Sequence, residues 1–250
     1  LFAKIREFFA GRKQRKIEKN MELVKNAKAI KEDRWAALQY FSTLDEPEHA
    51  VPGLLRRFNF SLEHGINDTK EKELAMEGIL RHGEAALPYV TKHLSETDRI
   101  AWPLKILYKL GNEQQIVETL KSALNFNDVS FDRSAVDKNY DILCYLREHK
   151  LPGYVDQIAH FIKDHDERVR FAAVEVLIEQ DDPSIAGLIE RFIADESAEN
   201  RRIRKSVIDA FVSRGWKLKH PEVFKSELIT DGIFITKDAH LENRGGGLHS

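Results

Sequence analysis

Of the ten histidines, His160 and His165 stand with Asp164 in one short stretch, the nearest approach to a set of metal ligands. His160 and Asp164 share a helix face and suit a surface pair, whereas His165 falls on another face. No His-Glu-x-x-His occurs, and there is no serine nucleophile elbow. The triple glycine Gly245–Gly247 lacks the strand before and the helix after that a phosphate-binding loop needs. The single cysteine, Cys144, lies in Ile142-Leu143-Cys144-Tyr145-Leu146. That apolar setting predicts a buried, inert thiol. One thiol forms no internal disulfide and suits a reducing compartment, so the expected location is cytoplasmic. Neither a catalytic residue, nor a metal, nor a cofactor is expected.

Two stretches could bind rather than react. Residues 1–20 carry seven basic and two acidic side chains. Within them Phe2, Ile5, Phe8 and Phe9 cluster on one side of an amphipathic helix. Such a helix can cap the fold, enter a partner's groove, or lie on an anionic membrane. The second stretch, Arg201 to Lys219, holds seven basic residues and Trp216. Counterion release and stacking would let it hold nucleic acid; a solvated helix face, with Trp216 buried at a joint, is the plainer expectation. The whole chain is slightly acidic, with a net charge of −2. The 210 residues outside 1–20 and 201–220 therefore sum to −13.

The elements that must position these residues recur. Val51-Pro52-Gly53-Leu54-Leu55-Arg56-Arg57-Phe58 matches Ile185-Ala186-Gly187-Leu188-Ile189-Glu190-Arg191-Phe192. Similar segments begin near 87, 116, 151 and 220, so the period is about 34 residues. A second motif precedes the first: Arg34 to Phe41, Arg170 to Leu177, and Arg204 to Phe211. Apolar spacings of three and four residues make each repeat a pair of amphipathic helices. Asp182-Pro183 and Asn112 are start signals, and Gly83, Gly111 and Gly215 are joints. Pro103, inside an apolar pattern, should kink or restart its helix. Asp231-Gly232, between β-branched and aromatic residues, predicts a small hairpin turn.

The segment Asp166-Glu167-Arg168-Val169-Arg170-Phe171-Ala172-Ala173-Val174 resembles the start of a HEAT repeat, most closely the HEAT-like repeats of phycobilisome lyases. The resemblance covers roughly residues 30–228. It implies an all-α superhelix, a solenoid of about six helix pairs with the second helices on its concave side. The expected organisation is a cap over 1–29, the repeats over 30–228, and a hairpin with a flexible tail over 229–250. Two short helices cannot bury their apolar faces alone, which is the physical reason to stack them.

Aligning the second helices draws two rows just after each apolar pair. One is Arg56, Lys92, Lys121, Asp156, Glu190 and Lys225. The other is Arg57, His93, Ser122, Gln157, Arg191 and Ser226. These should face outward, and their mixed charge suits a protein partner better than a polyanion. The function expected is a non-catalytic scaffold or adaptor using this face and the first helix. Two alternatives remain open: a lyase-like chromophore chaperone or enzyme subunit, implied by the resemblance, and a nucleic-acid or membrane-surface module using the basic ends. No apolar run is long enough to cross a bilayer as a helix.

Overall fold

Some helix starts follow the capping residues the sequence offers. The predicted start at Asp182-Pro183 does not, because the helix there begins only at Ile185 and Asp182 accepts the Ser184 N–H in the turn before it. In the computed structural model Asn112 accepts the Gln115 N–H while the Gln115 side chain accepts the Asn112 N–H, a reciprocal box. Asp166 accepts the N–H of Arg168, and Gly215, at φ 60°, ends its helix in the left-handed region. The structure describes residues 2–127, 132–180, 182–224 and 232–243, without the side chains of 2–10 and 223. The predicted Gly245–Gly247 tail lies outside the described residues.

The chain is mostly helical and falls into two units, Leu1–Leu124 and Asn125–Ser250. In the first, α1 (Phe2–Lys25) precedes α2 (Lys31–Ser42) and α3 (Pro47–Leu55), which tightens into a 3-10 turn at Arg56–Asn59. Then come α4 (Gly65–Leu80), α5 (Leu87–Glu96), α6 (Ala101–Leu110) and α7 (Glu113–Ala123). First helices pack on first helices, α2 on α4 and α4 on α6; second helices follow suit, α3 on α5 and α5 on α7. Leu38, Phe41, Leu54, Ile79, Leu94, Leu104 and Leu120 fill the space between. Each fully buried side chain of this size contributes about 1.5–3 kcal/mol. Ile17 and Val24 bury the second half of α1 against α2 and α3. Pro103 sits in the first turn of α6, where its missing N–H has no partner to lose. Pro52 lies deeper than expected, inside α3, because that helix already begins at Pro47.

The second unit contains α8 (Arg133–Leu146), α9 (Val155–His160), α10 (Glu167–Ile178), α11 (Ile185–Ile189) and α12 (Arg201–Arg214). α10 packs on both α8 and α12. α9 and α11 each run on into a 3-10 turn, Phe161–Lys163 and Glu190–Ile193, whose Phe-Ile pairs are buried. Two strands, β1 (Ile233–Ile235) and β2 (Leu241–Asn243), pair antiparallel with Ile235 opposite Leu241. β2 packs on α12. The turn between the strands is Thr236 to His240, closed by the Thr236 N–H on the His240 carbonyl at 2.8 Å, not the predicted Asp231-Gly232 pair, which precedes β1. The Thr236 hydroxyl also accepts the His240 N–H at 3.1 Å. This register sinks both Ile233 and Leu241 into the interior, while Asp231 lies outside the described residues.

Candidate functional site

Arginine recurs as the fourth residue of three first helices, Arg34 in α2, Arg170 in α10 and Arg204 in α12. Each ties down the loop before its helix. Arg34 donates to the Ala29 carbonyl, Arg170 to those of Asp164 and His165, and Arg204 to that of Ile193. α4 has Asp68 at the same place, and the polarity reverses: its carboxylate accepts the Leu62 N–H at 2.9 Å. These side chains thread successive repeats together. Arg34 grips Glu71 of α4 through two bonds, of 2.8 and 2.9 Å. Arg170 reaches Glu199 and Asn200 ahead of α12.

The two predicted rows do not survive intact. Arg57 is fully buried rather than outward, bonded to Glu71 and Asp68 at 2.7 Å each. Glu190 is buried as well, because its carboxylate accepts the Lys219 N–H. Lys92 and Arg191 are exposed, and Arg56, His93 and Lys121 are half-buried. Lys92 reaches Glu96 at 3.9 Å and Lys121 reaches Glu118 at 2.9 Å, both on their own helices. Asp156 and Gln157 are exposed but lie in the first turn of α9, whereas Glu190 and Arg191 follow the end of α11. The segment at Leu151 is a turn before the helix, so aligning on it slipped the register. Aligning instead on the buried phenylalanines Phe58, Phe161 and Phe192 gives a true row, Arg57, His160 and Arg191. The recurring Phe, followed by Ile at Phe161-Ile162 and Phe192-Ile193, was the available signal. The side chains of Phe2, Ile5, Phe8 and Phe9, like Lys225 and Ser226, lie outside the described residues.

In the second unit this register assembles a cleft of about 720 Å³. α9 and its turn supply Asp156, His160 and Lys163; α11 and its turn supply Gly187 and Arg191; Phe126 closes one side. A second hollow of about 440 Å³ shares Ile162, Lys163, Asp164 and Arg191 with it, so the two make one open groove. Arg191 is fixed at its rim. One Nη donates to the Ile162 carbonyl at 2.8 Å, and the guanidinium lies 4.7 Å from the Phe192 ring centre. Phe126, more than a third exposed, contacts the rings of His160 and Phe161. Lys163, His160, His165 and Phe126 are lining residues that the sequence rows missed.

The groove's carboxylates are mostly engaged. Asp164 accepts the Asp166 N–H, and Glu199 pairs with Arg170. Bonds from Ser197, opposed by burial and helped by the Asn200 amide, hold the Asp195 carboxyl below its ordinary range. Two of its cations are not: among the described residues no carboxylate lies within 4 Å of Arg191 or Lys163. The reason is visible in α12. Its fourth and seventh residues are Arg204 and Val207, where α4 has Asp68 and Glu71, the two groups that neutralise Arg57.

Elsewhere, Cys144 is exposed, not buried, because α8 turns it away from the α10 contact that Leu143 fills. Partial enclosure and nearby Asp141 push its thiol up, against a hydrogen bond with Tyr140. Much of the basic run is spoken for: Arg202 approaches Glu167, Arg204 the Ile193 carbonyl, and Arg214 Glu179. Trp216 is half-buried, edge-on to Phe211, with Arg214 above it. Among the described residues no helix is long and apolar enough to cross a membrane, and no cluster of His, Cys, Asp or Glu could hold a metal ion. Comparison with known proteins finds no matching family model, no matching curated protein and no matching solved structure.

Proposed function

We propose that the chain is a non-catalytic scaffold or adaptor, built of HEAT-like repeats stacked as a solenoid, that binds a protein partner along its second-helix face. One observation carries this reading. Asp156 and Arg191, opposite charges from successive second helices, line one open groove together with an exposed aromatic ring. A surface of that kind matches the polar rim and aromatic anchor of a protein interface. The lower half of α1 acts as the cap of the first repeat, and its apolar upper residues Phe2, Ile5, Phe8 and Phe9 offer a second contact. The expected setting is the cytoplasm, with no cofactor.

A photo-crosslinking side chain placed at position 156, and as a control at 109 in the first unit, tests the reading in cells. The same partner should be captured from 156 in repeated experiments, should be missing from 109, and should be lost when Arg191→Glu is added. Capture that is equal from both positions, or indifferent to Arg191→Glu, rejects the groove as the contact surface.

A further inference from the structure

Resting on the adaptor reading, we infer that the groove of the second unit takes an extended peptide that sets a carboxylate side chain against Arg191 and Lys163 and an adjoining large apolar side chain against Phe126. Three independent observations lead there. First, Arg191 is held ready: a backbone carbonyl fixes one Nη and the Phe192 ring supports the plane, leaving the other Nη and Nε to meet a carboxylate. A guanidinium already held this way loses less conformational freedom on binding than a mobile one. Second, the charge in the groove is unbalanced where it is accessible. Asp164, Asp195 and Glu199 are tied to N–H groups or to Arg170, while Arg191 and Lys163 face no carboxylate among the described residues. Among the described residues Asp156 is the one acidic lining group without such a tie, and it belongs to the first turn of α9. Third, Phe126 is an exposed aromatic in a groove whose remaining apolar lining comes from Ala159, Ile162 and Leu188. A bare anion would leave that wall uncovered; an acidic peptide with an apolar neighbour covers it.

The sequence relation between the units explains why this site belongs to one of them. The counterpart of Arg191 is Arg57, and Glu71 and Asp68 already satisfy it. α12 offers Arg204 and Val207 instead, so none of the described residues supplies the carboxylate, and the peptide is assigned that part.

The test uses the full chain and a short fluorescein-labelled peptide of alternating Glu and Phe, read by anisotropy at low salt. Its twin carries Lys in place of Glu. The expected result is binding of the Glu peptide alone, weakened about tenfold by Arg191→Glu and by Lys163→Glu, as for loss of a charge-assisted hydrogen bond. Lys109→Glu, in the first unit, should leave it unchanged. Lys163 is exposed and makes no bond with the described residues, so its variant keeps the test valid if Arg191→Glu fails to fold. Equal binding of the two peptides, no binding of either, or full retention in Lys163→Glu overturns the inference. Displacement by inorganic phosphate at the same concentration as the peptide also overturns it, because the groove would then be a small-anion site. Persisting cross-links from position 156 under any of these outcomes would leave the adaptor reading in place and remove only the acidic ligand.

Discussion

Arg57 and Arg191 precede the same phenylalanine of the same repeat motif, yet one is sealed among Glu71, Asp68 and the Phe60 carbonyl and the other stands at the rim of a groove. Neither the motif nor the preceding helix differs enough to cause this. The cause lies in the following repeat, whose first helix either brings carboxylates to the arginine or does not. In the first unit the arginine becomes part of a five-membered ionic lattice, Arg34, Arg57, Lys72, Asp68 and Glu71, shielded from water. In the second it remains available. Among these helix pairs, then, a side chain's task is set by the following pair as much as by its own.

The largest test of this contrast removes the counter-charge. Glu71→Ala leaves buried Arg34 without a carboxylate and Arg57 with Asp68 alone, and should cost about 3–5 kcal/mol in urea unfolding. Arg57→Ala should cost about 3 kcal/mol, against less than about 0.5 kcal/mol for Arg191→Ala. Similar costs for the two arginines would break the comparison. The motif glycines sharpen it next. A methyl at Gly53 would meet the Phe41 ring at 2.8 Å inside the core, whereas one at Gly187 would meet the flexible end of Lys219. Gly53→Ala should therefore cost about 1–3 kcal/mol, and Gly187→Ala under about 1 kcal/mol.

A smaller effect appears in acid. Burial raises the pKa of Asp68, but bonds from Lys72, Arg57 and the Leu62 N–H outweigh it and lower the pKa from 3.8 to about 2. A depressed carboxyl stabilises the fold above its ordinary pKa and ceases to do so as the pH falls through its folded value. Asp68→Asn should thus flatten the stability profile between about pH 4 and pH 2, a difference visible in thermal melts of the two proteins. The smallest effect concerns Cys144. Ellman's reagent should titrate one thiol in the folded chain at pH 8, more slowly than a free cysteine because its pKa is raised.

Much of the local structure was legible in the residues. Capping at Asn112, the left-handed stop at Gly215 and the helical period all rest on short-range chemistry, which a single sequence displays. Two things were not legible. The turn at Thr236 to His240 was missed because it carries no Asp-Gly or Asn-Gly pair and is closed instead by backbone and Thr236 hydroxyl bonds to His240. Burial of Arg57 depended on Glu71, fourteen positions away on the next helix, which no alignment of second helices includes. The groove was half legible. Asp156 and Arg191 were chosen by aligning the second helices, but the slip at Leu151 hid His160 and Lys163.

The reversed polarity at Asp68 has an engineering consequence. A module ending in Arg57 demands that whatever comes next open with acid at the fourth and seventh places, and the α12 module cannot meet that demand. The repeats of this chain are therefore not interchangeable bricks. Permuting them would pit Arg57 against another guanidinium, so their order is written into the charges at the joints.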